Sequence, residues 1–417
     1  MSVFSRVGVI LAIAGWMSVL VGPAYAEPLS LEAAIKRTLA RNPALRAEGL
    51  AVEAVESQAR LDGLSPALVL GADLENVAGT GSLRGVHSAE TTLRLSQVFE
   101  LGGKRDARQA RGLADIERQQ NLRRQRRLDL AAETTRRYIE VAKAELELQM
   151  VRSQLQGVRA TEQAVRQRVD RGVAAEADAA LAQIASVRAE IELEHAEHEL
   201  ASARFALATL WGESAALPIE ATGELLRLPA LPELQALTAR LPDTAETAAF
   251  TLEANRLEAD RAVAIAAARP DLSLGLGVRR LEALDDQGLV LSFAMPFGTR
   301  QRSSLMLGRI DAERAAVDAR QEAAALEARQ LLFARFQELR HARTEFDAIS
   351  ERMIPAASKA LALTQAGYDD ARYSILQLTE GQAAVLQLRQ EQLAAAARYH
   401  QLLAEIERST AVSGAQP

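Results

Sequence analysis

Residues 89–105 read Ala89-Glu90-Thr91-Thr92-Leu93-Arg94-Leu95-Ser96-Gln97-Val98-Phe99-Glu100-Leu101-Gly102-Gly103-Lys104-Arg105, and this string joins two kinds of structure. Leu93 and Leu95 alternate with Arg94 and Ser96, the period of a strand with one apolar and one polar face. After the Gly-Gly step the alternation stops. From Lys104 to Val169 the chain is almost free of glycine and has no proline, as a very long helix requires. At about 1.5 Å rise per residue such a helix reaches roughly 100 Å, more than a small globule can bury.

Working outward, the same order of signals is written twice. Ser65-Pro66-Ala67-Leu68-Val69-Leu70-Gly71 is matched by Arg269-Pro270-Asp271-Leu272-Ser273-Leu274-Gly275. Leu95-Ser96 and Leu101-Gly102 are matched by Leu291-Ser292 and Phe297-Gly298, and Gly172 and Gln183 by Ala371 and Gln382. We therefore expect two repeats after a leader, 27–240 and 241–417, each running helix, β-hairpin, long helix, return helix. The opening helices are read at Leu29 to Asp62 and Pro242 to Arg269, and the hairpins at 66–99 and 270–297. The second long helix is read at Ser303 to Tyr368, with Pro355 its one proline. Return helices are read from about Glu176 to Trp211 and Ile375 to Ser409, and 212–240, with Pro218, Pro229 and Pro232, as a linker.

In the first hairpin Leu68, Leu70, Ala72 and Leu74 share a face; in the second, Leu289, Leu291, Phe293 and Met295 do. Strands of roughly ten residues suffice to cross a bilayer when tilted in a barrel. Four strands cannot close a barrel, and an open sheet edge cannot face lipid, so several chains must pool their strands. Along the first long helix Leu128, Ala132, Thr135, Ile139, Ala142 and Leu146 form a coiled-coil seam. Val141, Leu148 and Leu155 form a second stripe, so the helix has neighbours on two sides. The expected class is α+β but mostly α: a coiled-coil helical barrel continued by a transmembrane β-barrel shared between subunits.

Arg6, the apolar run Val7 to Val21 and Ala24-Tyr25-Ala26 read as a cleaved signal peptide over residues 1–26. The chain has no cysteine, which excludes disulfides and a lipid anchor on cysteine. Aromatics are only 4% and charged residues 25%, a composition of long helices with narrow seams. A net charge of −6 gives no reason to expect nucleic acid. The clusters Lys104-Arg105-Arg108-Arg111 and Arg123-Arg124-Arg126-Arg127 instead suit a lipid boundary or pairing with neighbouring carboxylates. No enzyme signature is present and no cofactor is implied. Gly102-Gly103-Lys104 lacks the rest of a phosphate loop, and Gly275-Leu276-Gly277 sits inside a strand. His195 and His198 stand at i and i+3, but two ligands make a weak metal site, and the Ile184–Ile191–Phe205 spacing explains His198 as a seam residue.

Pro28-Leu29-Ser30-Leu31-Glu32-Ala33-Ala34-Ile35 through Arg41-Asn42-Pro43, together with residues 89–105, resembles the TolC family of outer-membrane efflux proteins. Phe99-Glu100-Leu101-Gly102-Gly103-Lys104-Arg105 is similar to its heavy-metal branch, the cobalt-zinc-cadmium outer-membrane component. The resemblance implies a homotrimer in outer-membrane lipid that extends into the periplasm, with twelve strands and twelve helices. A periplasmic adaptor (membrane fusion) protein and an inner-membrane proton-driven RND pump complete the path. The same conduit serving drugs or type I protein secretion is an alternative, as is a periplasmic coiled-coil adaptor or scaffold; the four alternating segments argue against the last.

The resemblance also implies a periplasmic gate of Asp178, Tyr368, Arg372, Gln377 and Glu380, with Gln377 where the family has an aspartate. A threefold ring of carboxylates at a narrow mouth would attract cations; the alternative is that Asp178, Asp369, Asp370 and Glu380 are solvated surface charges. Val169, Gly172, Val173, Ala175, Ala371, Tyr373 and Ser374 offer small or apolar tips for adaptor docking, Ala371 standing where the family has glycine.

Overall fold

The computed structural model describes residues 27–215, 217–370 and 372–412; the leader read at residues 1–26 and the tip residue Ala371 lie outside them. In chain order the elements begin with β1 (Glu27–Leu29), α1 (Leu31–Arg41), α2 (Pro43–Asp62), β2 (Val69–Glu75) and β3 (Glu90–Phe99). Next come α3 (Lys104–Asp170), α4 (Glu176–Ala208), β4 (Ile219–Ala221), α5 (Leu234–Arg240) and α6 (Ala245–Ala267). Then β5 (Leu272–Leu281), β6 (Asp286–Ala294), α7 (Thr299–Ala348), a π-helical turn (Ile349–Met353), α8 (Ile354–Asp369) and α9 (Ile375–Ser409) complete the chain.

The period-2 segments pair as one sheet, β2-β3-β5-β6, antiparallel throughout. Register places Leu70, Leu95, Leu276 and Leu291 in one row, and Ala72, Leu93, Val278 and Leu289 in the next. This leucine face is uncovered: Leu291 is 83% exposed and Leu70 74%. The other face carries the rows Gly71, Arg94, Gly277, Val290 and Asp73, Thr92, Arg279, Gly288. Among the described residues β2 and β6 have no partner on their outer edges. They run in opposite directions, so β6 of one copy can continue onto β2 of another without breaking the antiparallel order.

At the base of the sheet, Gly103 and Gly298 adopt left-handed φ of 75° and 81°, turning β3 and β6 into α3 and α7. The basic cluster there is paired. Lys104 meets Asp271 at 2.6 Å, Arg108 meets Glu100 at 2.5 Å, and Arg111 meets Asp260 at 3.0 Å.

Helix α3 is 67 residues long; its Val141, Leu148 and Leu155 stripe is buried, while of the other stripe Ile139 and Ala142 are buried and Leu128, Ala132 and Thr135 only half-buried. Ile139 and Ala142 pack against Leu393, Ala396 and Ala397 of α9. Val141 and Leu148 pack with Ala196, Leu200 and Leu207 of α4, and Leu155 with Ala189. Each fully buried leucine or valine of such a seam contributes about 1.5–3 kcal/mol. These many small burials, spread along the helix, replace a central core.

Four segments depart from the sequence reading. The first opening helix breaks at Asn42: its Oδ1 accepts from the Ala44 and Leu45 N–H groups at 2.9 and 3.3 Å, starting α2. Its Nδ2 donates to the Leu210 carbonyl at 2.7 Å, and Pro43 has no N–H to continue α1. Leu29 belongs to a strand, with β1 parallel to β4. Stretch 212–240 is more than a linker, because it holds β4 and α5 and buries Ile219, Leu225 and Leu237. The opening helix read from Pro242 starts at Ala245, where the Thr244 hydroxyl accepts from the Thr247 N–H at 3.3 Å. The second long helix is not continuous: at Pro355, which lacks the donor for a regular turn, α7 passes through the π turn into α8.

Gly112 of α3 approaches α2 so closely that a Cβ there would sit 2.6 Å from Ala59 Cβ and 3.1 Å from its Cα. Gly157 of the same helix has nothing within 4 Å of that position. Gly112→Ala should cost about 1–3 kcal/mol through overpacking, whereas Gly157→Ala should gain up to about 1 kcal/mol of helix propensity. Circular-dichroism melts in detergent check the pair: the first midpoint falls and the second does not.

Candidate functional site

The helix reversals α3–α4 and α8–α9 lie together at the end of the molecule remote from the sheet. Gly172, at φ 75°, ends α3; its N–H reaches the Val169 carbonyl at 2.8 Å and the Val173 N–H reaches Arg168 at 2.9 Å. Val173, Gly172 and Ala175 are exposed, and Val169 is half-buried beneath them. In the second reversal the N–H groups of Arg372 and Tyr373 both donate to the Gly367 carbonyl, at 2.7 and 3.1 Å. The Tyr373 ring lies directly over Gly367, in the space a Cβ would need. Ser374 caps α9, and its own N–H donates to Gln377 Oε1 at 3.0 Å.

Of the residues read as a gate, the structure brings Tyr368 and Asp178 close and leaves the rest apart. Tyr368 is buried in the tip cluster with Val165, Ala182, Ile375 and Leu378. Burial pushes its phenol above the ordinary range, the Arg168 guanidinium pulls it back, and the Asp178 and Asp369 carboxylates add to the rise. Its hydroxyl has no hydrogen-bond partner among the described residues. Half-buried Asp178 accepts from the Ala175 N–H at 3.3 Å, so it also caps α4. Gln377 is likewise a capping residue. Arg372 pairs with Asp370 at 2.7 Å on the surface rather than reaching inward. Glu380 is exposed on α9, in a groove of about 530 Å³ that also takes in Leu181, Ile184 and Leu376.

Two tip residues escaped the sequence reading. Arg168 donates to the Tyr368 carbonyl at 3.1 Å and holds its guanidinium 4.7 Å from the ring centroid, tying α3 to α8. Gly367 seats Tyr373. The only sequence signal for it was a glycine inside a helical pattern, which marks close approach.

His195 and His198 are exposed on α4, each about 3.5 Å from a glutamate one turn away: Glu199 at 3.5 Å and Glu194 at 3.6 Å. Among the described residues no set of three histidine or carboxylate side chains could hold a metal ion. No described helix is long and apolar enough to cross a membrane.

Residues 34–213 match the family model described as outer membrane efflux protein. Over 388 residues, 92% of this chain and 90% of the relative, the chain is 26% identical to the cobalt-zinc-cadmium resistance protein CzcC of Cupriavidus metallidurans. Its fold is similar to that of a membrane protein from Pseudomonas aeruginosa, with a TM-score of 0.74 at 19% identity, covering 93% of this chain and 91% of that one. It is also similar to CusC, described as forming a transmembrane channel, with a TM-score of 0.69 at 17% identity and 91% of both chains covered.

Because the Tyr368 hydroxyl is buried without a partner among the described residues, Tyr368→Phe should leave stability unchanged or raise it by about 1–3 kcal/mol. Arg168→Ala should lower it by about 1–2 kcal/mol through loss of the hydrogen bond and the ring contact. Thermal unfolding of the two variants side by side checks the ranking; the reverse order would contradict the assignment of Arg168 as the tie.

Proposed function

We propose that this chain is an outer membrane efflux protein, and more closely the outer-membrane conduit of a tripartite RND-type pump for heavy-metal cations. One observation carries the conduit: a four-stranded sheet with an exposed leucine face, a charged opposite face and two unpartnered edges, running straight into helices on the order of 100 Å long. A leucine band beside lipid and a polar face toward a water-filled lumen is how a transmembrane barrel divides its strands. The edges close when three copies join β6 to β2, giving twelve strands. The conduit transforms nothing and catalyses no reaction; its work is to seal, open and dock.

In this reading residues 1–26 are a cleaved export signal, the mature chain carries no lipid, and 27–240 and 241–417 are two repeats of one unit. The heavy-metal cargo rests on likeness to a cobalt-zinc-cadmium resistance protein along nearly the whole chain. The tips around Val169, Gly172, Val173, Ala175, Tyr373 and Ser374 dock the periplasmic adaptor, and Asp178 and Glu380 narrow the mouth over the buried Tyr368. Arg372 and Gln377 serve that mouth indirectly, by shaping the second reversal.

Deleting the gene should sensitise the host to one group among zinc, cobalt, cadmium, nickel, copper and silver, and leave a parallel dye and detergent panel unchanged. Sensitivity to drugs and detergents alone would overturn the metal cargo and keep the conduit. Replacing Asp178 and Glu380 together with alanine should raise single-channel conductance in planar bilayers or lower cation preference. Unchanged conductance and selectivity would remove both residues from the gate.

A further inference from the structure

The charged face of the sheet is arranged around one side chain. In its row Arg94 is flanked by Gly71 and Gly277, so no neighbouring side chain crowds it on either strand. A Cβ at Gly277 would sit 3.2 Å from Arg94 Cα and 2.6 Å from the Leu93 carbonyl oxygen. A Cβ at Gly275 would sit 3.2 Å from Arg94 Cδ. The arginine stem thus lies flat along a glycine-lined strip of wall, and its guanidinium meets Asp73 at 2.7 Å. One step further from the helices Arg279 repeats the theme, bonded to Glu90 at 2.9 Å, Glu75 at 3.3 Å and the Thr92 hydroxyl at 3.0 Å.

We infer that the Arg94–Asp73 pair is a charge-selectivity element of the barrel lumen, an inference that rests on the conduit reading. Six formal charges lie on this face: Asp73, Glu75, Glu90 and Asp286 against Arg94 and Arg279. The carboxylate excess gathers in the outermost row, where Glu75, Glu90 and Asp286 stand level with Leu281. Deeper in, Arg94 and Asp73 stand in adjacent rows and neutralise each other across the diagonal, while Arg279, level with Asp73, is paired with Glu75 and Glu90. A cation arriving from the helices therefore passes the neutralised Arg94–Asp73 pair before the acidic outer row, and meets no deep trap on the way out. Removing either partner leaves the other unpaired, adding one like charge per subunit to the wall at that depth. The two partners should act in opposite directions.

The chain has no cysteine, so one introduced thiol reports the local potential without needing an open periplasmic mouth. Ser96 stands one row deeper than Arg94 on the same face, level with Val69, Gly275 and Ser292. In intact outer membranes carrying Ser96→Cys, a cationic and an anionic methanethiosulfonate of similar size are added from outside and their rates compared. Arg94→Gln in that background should shift the rate ratio toward the cationic reagent by about threefold or more, and Asp73→Asn toward the anionic one. The double variant, neutral again, should return close to the Ser96→Cys parent. A ratio unmoved by both single variants, with the thiol still reactive, would overturn the selectivity role and spare the conduit. No reaction of Ser96→Cys with either reagent would instead deny that this face lines an outward-opening lumen, and the conduit reading would fall with it.

Discussion

The unpaired edges of β2 and β6 set the terms for the rest of the molecule. In hydrocarbon an N–H or C=O without a partner costs several kcal/mol, and each edge strand presents a row of them. A four-stranded sheet with a leucine face is therefore unstable in water, where the leucines are exposed, and unstable in lipid, where the edges are. Closure with other copies removes both penalties at once. The antiparallel order of four strands keeps β2 and β6 opposed in direction, so the same edge-to-edge joint can be repeated around a ring.

In the proposed conduit, closure of the sheets within the membrane calls for a matching ring of helices below it. Each hairpin delivers its second strand through a left-handed glycine into a long helix, so in the proposed barrel the wall would continue directly into helices. Ion pairs at that junction, Lys104 with Asp271 and Arg108 with Glu100, hold the base of the sheet to the start of α3. A helix in a tubular wall needs neighbours on two sides, and α3 has them, with one stripe on α4 and the other on α9. The apolar side chains left exposed on α4, Ile184 and Ile191 among them, are what a further neighbour would cover.

The parts of this fold written as periodicity were legible: the alternation at Leu93 and Leu95, and the two stripes of α3. Parts that depend on a single side chain meeting a distant partner were not. Asn42 looks like any polar residue before a proline until its amide is seen to reach Leu210. Pro355 reads as a tolerated interruption, and only the backbone shows that a π turn absorbs it. The tip illustrates both limits. Gly172 and Ser374 follow from turn and cap chemistry, whereas Arg168, which holds Tyr368, carries no local signal because its partner lies 200 residues away. Asp178 and Gln377 were read as gate groups by resemblance, and both also cap helices.

The central claim is that the four strands of one chain close only with those of other copies. A cysteine scan tests it most directly, placing one thiol along β2 and one along β6 of the same cysteine-free chain, with mild oxidation in isolated outer membranes. The account predicts that pairs at one register give a covalent ladder ending at three chains, and that pairs shifted along the strand do not. Monomers at every register, or a ladder that continues past three, would contradict it.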